Sequence, residues 1–224
     1  MRNLEILFLL FMIYSFLGWI VDITGNYLSQ RKIINRGVFI GPYCPIYGVG
    51  ALLITFFLHL IPVNNYLFVF ISCVFICAVL EYATSYVLEK LFHARWWDYS
   101  DEMFNLNGRI CLKTMFPFGL LGILIFYVTN PFFLYFLSQI PNTILTIISV
   151  VLLLIFIIDM ILSFQVLIHF RALISSSKAK DKTNDIRNIM KDKIKKHRRI
   201  HQRLLTAYPL ISKKFNAFLK KIKL

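Results

Sequence analysis

Five apolar runs dominate this chain, and most of them exceed the roughly 18 residues at which a helix can cross the hydrocarbon of a bilayer. They are Leu4–Ile23, Ile46–Ile61, Tyr66–Leu88, Thr114–Leu137 and Thr143–Phe170. Backbone exposed to lipid has no water to bond, so runs of this length predict helices that satisfy their own N–H and C=O groups. The expected fold is therefore all-α: a polytopic membrane helix bundle of about five transmembrane helices. Composition agrees, because 58% of the 224 residues are hydrophobic and the mean hydropathy is +0.67, whereas soluble domains are about 45–50% apolar. The first run ends in Gly18-Trp19-Ile20-Val21-Asp22 with no small-residue cleavage site after it, so it reads as a transmembrane helix and not as a signal peptide.

Two spans carry irregularities. The second is short and follows Gly41-Pro42-Tyr43-Cys44-Pro45, whose prolines exclude regular helix. That stretch predicts a re-entrant or interfacial turn buried against protein. The fourth contains Pro117, Gly119 and Gly122, which predict a kink or a close helix crossing.

Charge is divided sharply along the chain. Residues 171–224 hold seventeen Lys/Arg and three Asp/Glu, whereas residues 1–170 hold eight of each, so the net charge of +14 belongs to the tail. The division predicts a transmembrane domain over residues 1–172 and a basic tail over 173–224. Lys and Arg concentrate on the cytoplasmic side of membrane proteins. Arg31, Lys32 and Arg36 in the first connection, Lys90, Arg95, Arg109 and Lys113 in the third, and the tail all share one side if the amino terminus is outside and the carboxyl terminus inside. That arrangement places twenty-four basic residues inside and one, Arg2, outside.

In the tail, Ile211, Phe215, Phe218 and Ile222 recur at helical spacing among Lys213, Lys214, Lys220, Lys221 and Lys223. This is the pattern of a basic amphipathic helix that lies on a surface of anionic lipid. No nucleic-acid-binding module accompanies the charge, so nucleic acid is not an expected partner.

Polar chemistry concentrates in two places. Glu81, Ser85 and Glu89 lie four residues apart and form a polar stripe on the third helix. Acidic groups in a span are costly, about 2.5–3.5 kcal/mol on insertion scales, so each requires a partner or a task. Asp22 and Asp159 are two further acidic groups within spans. The second place is residues 93–112, where Trp96, Trp97, Tyr99 and Phe104 alternate with Arg95, Asp98, Asn105, Asn107 and Arg109. A connection that only turned the chain in water would not need this mixture. Arg36, Tyr43, Glu81, Glu89, His93, Arg95, Trp97, Asp98, Asn105, Asn107 and Arg109 make up the candidate polar binding site on the cytoplasmic side. The alternative is that these charges pair only to lock helices and loops together.

The chain has no Walker A glycine loop, no His-Glu-x-x-His, no Gly-x-Ser-x-Gly and no dinucleotide fingerprint. No catalytic residue or cofactor is assigned, and the reading leans away from an enzyme. Cys44, Cys73, Cys77 and Cys111 contain no CxxC pair and no metal ligand set.

Several blocks together resemble one family of bacterial membrane proteins, the ABC-transporter type IV or CmpB-like family. They are Gly18-Trp19 before an acidic residue, Asn35-Arg36-Gly37, Gly41 to Gly48, Leu80-Glu81-Tyr82, Leu88 to His93, Arg95 to Ser100 and Asn105 to Leu112. They span roughly residues 10–125, with Asp22 standing where the family is expected to favour Glu. The resemblance implies a multi-pass protein of the bacterial inner membrane, a subunit of an ABC-type transport system that works with a separate ATP-binding subunit. It also implies that the loops 35–48 and 95–112 form one site. A homo-oligomer is compatible with five spans. Two other classes stay open: a membrane-embedded enzyme acting on lipid head groups through Glu81, Glu89, Asp98 and His93, and a scaffold or sensor acting through its tail.

Overall fold

The computed structural model describes residues 2–31, 37–60, 65–92 and 95–176. The expected amphipathic tail helix lies outside the described residues. The described elements are α1 (Arg2–Gln30), α2 (Pro45–His59), α3 (Tyr66–Phe92), a short hairpin of β1 (Asn105–Leu106) and β2 (Ile110–Cys111), α4 (Leu112–Leu124), a π-helical turn (Ile125–Thr129), α5 (Asn130–Gln139) and α6 (Asn142–Ser176). The protein is an all-α polytopic membrane bundle; its two strands of two residues each make a turn and not a sheet.

Among the described residues, four helical stretches are long and apolar enough to cross a membrane: Arg2–Gly25, Tyr66–Phe92, Leu112–Gln139 and Asn142–Ile168. The second expected span is different. At 15 residues, α2 rises only about 22 Å, short of a hydrocarbon core of about 30 Å. The segment before it, residues 37–44, is irregular. Its backbone donors are satisfied by helices on either side: Ile40 N–H donates to Ser163 Oγ at 2.9 Å, Gly41 N–H to Asp159 Oδ2 at 3.2 Å, and Cys44 N–H to the Ser15 carbonyl at 2.9 Å. Phe39, Tyr43 and Cys44 are buried. Irregular backbone at this depth is stable only when protein supplies such partners.

Close approach between helices depends on small residues. α1 packs chiefly on α2, and α3 chiefly on α4. A Cβ on Gly48 would strike the Phe11 carbonyl and the Ser15 side chain of α1, while Gly18 lies directly under the Tyr47 ring. On the other pair, Gly119 abuts Phe70 and Val74, and Gly122 abuts Cys73. The glycines of the fourth span therefore serve a close crossing. The irregularity of that span falls further along, where Asn130 N–H reaches the Ile125 carbonyl in a wide turn just before Pro131. Proline has no N–H to continue the regular ladder, and the π-turn accommodates the break.

Among the described residues the core includes three apolar clusters. One joins Leu9, Leu10 and Tyr14 to Ala51, Leu137 and Leu145; one joins Ile54 and Leu58 to Val69 and Cys73; one packs Met12 on Phe39 and Tyr43. Apolar side chains such as Phe56, Phe75, Phe132 and Ile158 point outward, as the lipid-facing surface of a bundle requires. At one end Arg2 donates to the Asn142 side chain and to the Ser138 and Ile140 carbonyls. It thereby satisfies acceptors at the carboxyl end of α5, where positive charge is favoured.

Gly48→Leu forces α1 and α2 apart. Overpacking of this kind costs about 1–3 kcal/mol, so the variant should unfold at lower temperature than wild type in the same detergent. Thermal unfolding followed by tryptophan fluorescence checks it; an unchanged midpoint would show that α1 and α2 do not need this contact.

Candidate functional site

The site is built where α3 ends and the chain turns back through the hairpin. The turn is specified locally. Asn107 and Gly108 both adopt left-handed backbone, with φ of 53° and 67°. Asn and Gly are the residues that tolerate this conformation. Asn105 Oδ1 accepts the Gly108 N–H at 3.0 Å, and its Nδ2 donates to the Glu102 carbonyl at 2.8 Å and the Ser100 carbonyl at 3.2 Å. Gly108 is also required by space, since a Cβ there would lie 2.6 Å from Asp98 Oδ1 and 3.0 Å from Arg95 Nη1. The irregular segment 95–100 lies against the hairpin at that point, and Tyr99 N–H donates to the Gly108 carbonyl at 2.8 Å.

Glu89 is the electrostatic centre. It accepts from Arg109 Nη2 at 2.7 Å and from Arg95 Nε at 3.1 Å. Arg95 also reaches Asp98 at 3.5 Å. The Asp98 carboxyl is held below its ordinary range chiefly by the Ser100 hydroxyl, with the Ser100 N–H and the Arg95 charge adding to it against the opposing effect of burial. Arg109 is the most enclosed of these charges, its side chain 11% exposed. Its guanidinium centre lies 5.4 Å from the Tyr82 ring and 5.3 Å from the Tyr86 ring, within range of cation–π attraction. Trp97 Nε1 donates to the Arg109 carbonyl at 2.9 Å, and Asn107 Nδ2 to the Tyr82 hydroxyl at 2.9 Å. Two acids thus face two guanidiniums, and the loop is fastened to α3 at residues 81, 82 and 89.

Deeper, Tyr99 donates its hydroxyl to Glu81 Oε1 at 3.1 Å. Burial, and then the Glu81 charge, push the Tyr99 hydroxyl well above its ordinary range, so it remains a proton donor. Tyr47 of α2 donates to Asp22 Oδ1 at 3.1 Å and is in electrostatic contact with Tyr99.

Of the residues singled out in the sequence, Glu81, Glu89, Arg95, Trp97, Asp98, Asn105, Asn107 and Arg109 come together here. Tyr43 does not. Its hydroxyl donates to Asp159 Oδ2 at 2.6 Å, on the α6 side. Arg36 and His93 lie outside the described residues. The first motif segment reaches the second instead through Tyr47, which interacts electrostatically with Tyr99, and Asp22 of α1 interacts in the same way with Glu81. Asp159, Ser163 and Tyr99 have roles that the sequence pattern undervalued. The available signal for the first two was their spacing of four on one face of α6. Among the described residues, no group of three or more His, Cys, Asp or Glu is placed to hold a metal ion. The arrangement fixes a loop rigidly, and its acids and bases are engaged with one another.

Glu89→Gln leaves Arg109 without its counter-charge and Arg95 with Asp98 alone. Hydrogen bonds to charged groups contribute about 2 kcal/mol, so the population of opened loop should rise roughly thirtyfold. Cys111 is 1% exposed, and its alkylation rate, read by peptide mass spectrometry, reports that opening. Gly108→Val should act in the same direction. Wild-type alkylation rates in both variants would show that the loop is held by something else.

Comparison with known proteins adds one positive result. A family model described as "Putative ABC-transporter type IV" matches residues 9–164. Neither a curated protein nor a solved structure matches the chain. The match extends beyond the motif blocks of residues 10–125 to α6, and so takes in Asp159 and Ser163, which hold the turn before α2. With most of the chain matched, from the first helix through the last, this protein belongs to the ABC-transporter type IV family.

Proposed function

We propose that this chain is a membrane subunit of an ABC-type transport system and that its 95–112 loop is the surface that engages a separate ATP-binding subunit. The observation that carries the reading is a rigid loop with an apolar tip. Met103 and Phe104 are each 78% exposed and Leu106 is 55% exposed, on a loop whose other side chains are tied to α3 by the Glu89 ion pairs. Phe104 is held at a φ of 53°, a conformation that is costly for a bulky side chain. A coupling element needs both features: an apolar knob for a partner's groove, and a stiff mount that passes the partner's movement to a helix. Family membership supports the same reading, as does the lack of a Walker A loop in the chain.

In this reading the amino terminus is outside, and α2 with the turn before it completes a fifth crossing. The basic tail, residues 173–224, is cytoplasmic and lies on the anionic lipid of a bacterial inner membrane. Reporter fusions at the two ends should locate them on opposite sides. Both ends on one side would make α2 a half-span and would move the basic loops away from a common face.

Affinity purification from native membranes in mild detergent tests the partner. Wild-type chain should retain an ATP-binding subunit, and Phe104→Asp and Arg109→Ala should lose it at unchanged expression. A wild-type chain that carries no such subunit, or variants that both keep it, would overturn the proposal.

A further inference from the structure

One buried acid is not accounted for by the ion pairs of the loop. Glu81 is 6% exposed and Ser85, one turn later on the same face of α3, is 2% exposed. Glu81 Oε1 accepts the Tyr99 hydroxyl. Glu81 Oε2 and Ser85 Oγ are both buried without a hydrogen-bond partner. Two unpaired oxygens on adjacent turns, one of them from a carboxyl group, are costly in a low-dielectric interior. Such atoms in a membrane protein mark a place that a ligand or proton occupies.

The surroundings define what would fit. Tyr99 from the loop bonds Glu81, Asp22 from α1 and Cys77 one turn earlier on α3 interact with it electrostatically, and Tyr47 from α2 joins the group through Asp22 and Tyr99. These contribute oxygen, sulfur and negative charge. The nearest guanidiniums along the chain, Arg95 and Arg109, are engaged with Glu89 two turns further on. The missing component is therefore small and positive, and the oxygen atoms suit a hard ion or a proton better than a polarisable metal. We propose that Glu81 Oε2 and Ser85 Oγ form a small-cation site, occupied by a proton or an alkali ion, at the junction of α1, α2, α3 and the 95–112 loop. The site connects cation occupancy to the loop, because Tyr99 is bonded to the other oxygen of the same carboxyl and, through its N–H, to Gly108 at the hairpin turn.

The inference deepens the transport reading, but its test does not depend on that reading. Infrared difference spectra of the whole chain in lipid vesicles report the carboxyl directly. Spectra are recorded while sodium, potassium and choline buffers are exchanged at fixed pH, and then while the pH is lowered. An alkali-dependent carboxylate band that Glu81→Gln removes identifies an alkali ion. A band that responds to pH alone and is lost in the same variant identifies a proton. In either case Ser85→Ala, which keeps the carboxyl, should displace the band. The Ser85→Ala chain also carries the test if Glu81→Gln does not fold. Spectra in which neither exchange moves a Glu81-dependent band, or in which Ser85→Ala is indistinguishable from wild type, would overturn the site. A silent carboxyl alongside a copurifying ATP-binding subunit would reject this inference alone; a responsive carboxyl in a chain without that subunit would reject the transport-partner reading alone.

Discussion

Hydrocarbon offers no hydrogen bonds, and that constraint organises this molecule. Every polar backbone group and every charge that enters the bundle must find a partner within the protein. Most of the chain meets the demand by forming helix. The exceptions are the turn before α2 and the segment that follows α3, and in both an acidic side chain provides what the backbone or a neighbouring charge lacks. Asp159 accepts from the Gly41 N–H and the Tyr43 hydroxyl. Glu89 accepts from two arginines. The acids that look anomalous in an apolar sequence are the partners that allow irregular structure to remain at the membrane.

The two arrangements differ in character. The Asp159 cluster is internal: one carboxyl, one phenol, backbone donors and Ser163 hold a turn between α1 and α6 just before the 15-residue α2. The Glu89 cluster sits at a helix end, partly exposed, and holds a loop whose apolar tip projects away. Exposed ion pairs contribute little to global stability. Here their effect is local, because Arg109 is enclosed by two tyrosine rings and its carbonyl is taken by Trp97. Fastened at several points to α3, the loop is bonded at one end to Glu89 and, through Tyr99, to the buried Glu81.

Much of this was legible in the sequence. Long apolar runs and their interruptions located the helices within a few residues, and the two prolines before residue 46 marked the irregular turn. The glycines of the fourth span signalled either a kink or a crossing, and only the packing partners Phe70, Val74 and Cys73 decided for the crossing. The π-turn was not visible, since periodicity over a continuous apolar run is insensitive to one extra residue per turn. The second span is short in the sequence and stays short in the structure, where α2 at 15 residues falls below the length that crosses a bilayer as helix alone.

The sequence by itself determined the class of protein, the position of its polar segments and the common face of Glu81, Ser85 and Glu89, because hydropathy and the period of 3.6 are local properties of a chain. It did not determine which partner each charge takes. Glu81 and Glu89 share a helix face, yet one meets a tyrosine hydroxyl in a buried junction and the other meets two guanidiniums at an edge. Tyr43 and Tyr47 are one turn apart, yet they donate to acids on α6 and α1 respectively. Pairing of this kind is set by which distant segment arrives at a given depth. That depends on the crossing of α1 on α2 at Gly48, and on the left-handed turn at Gly108 that folds the loop back on α3.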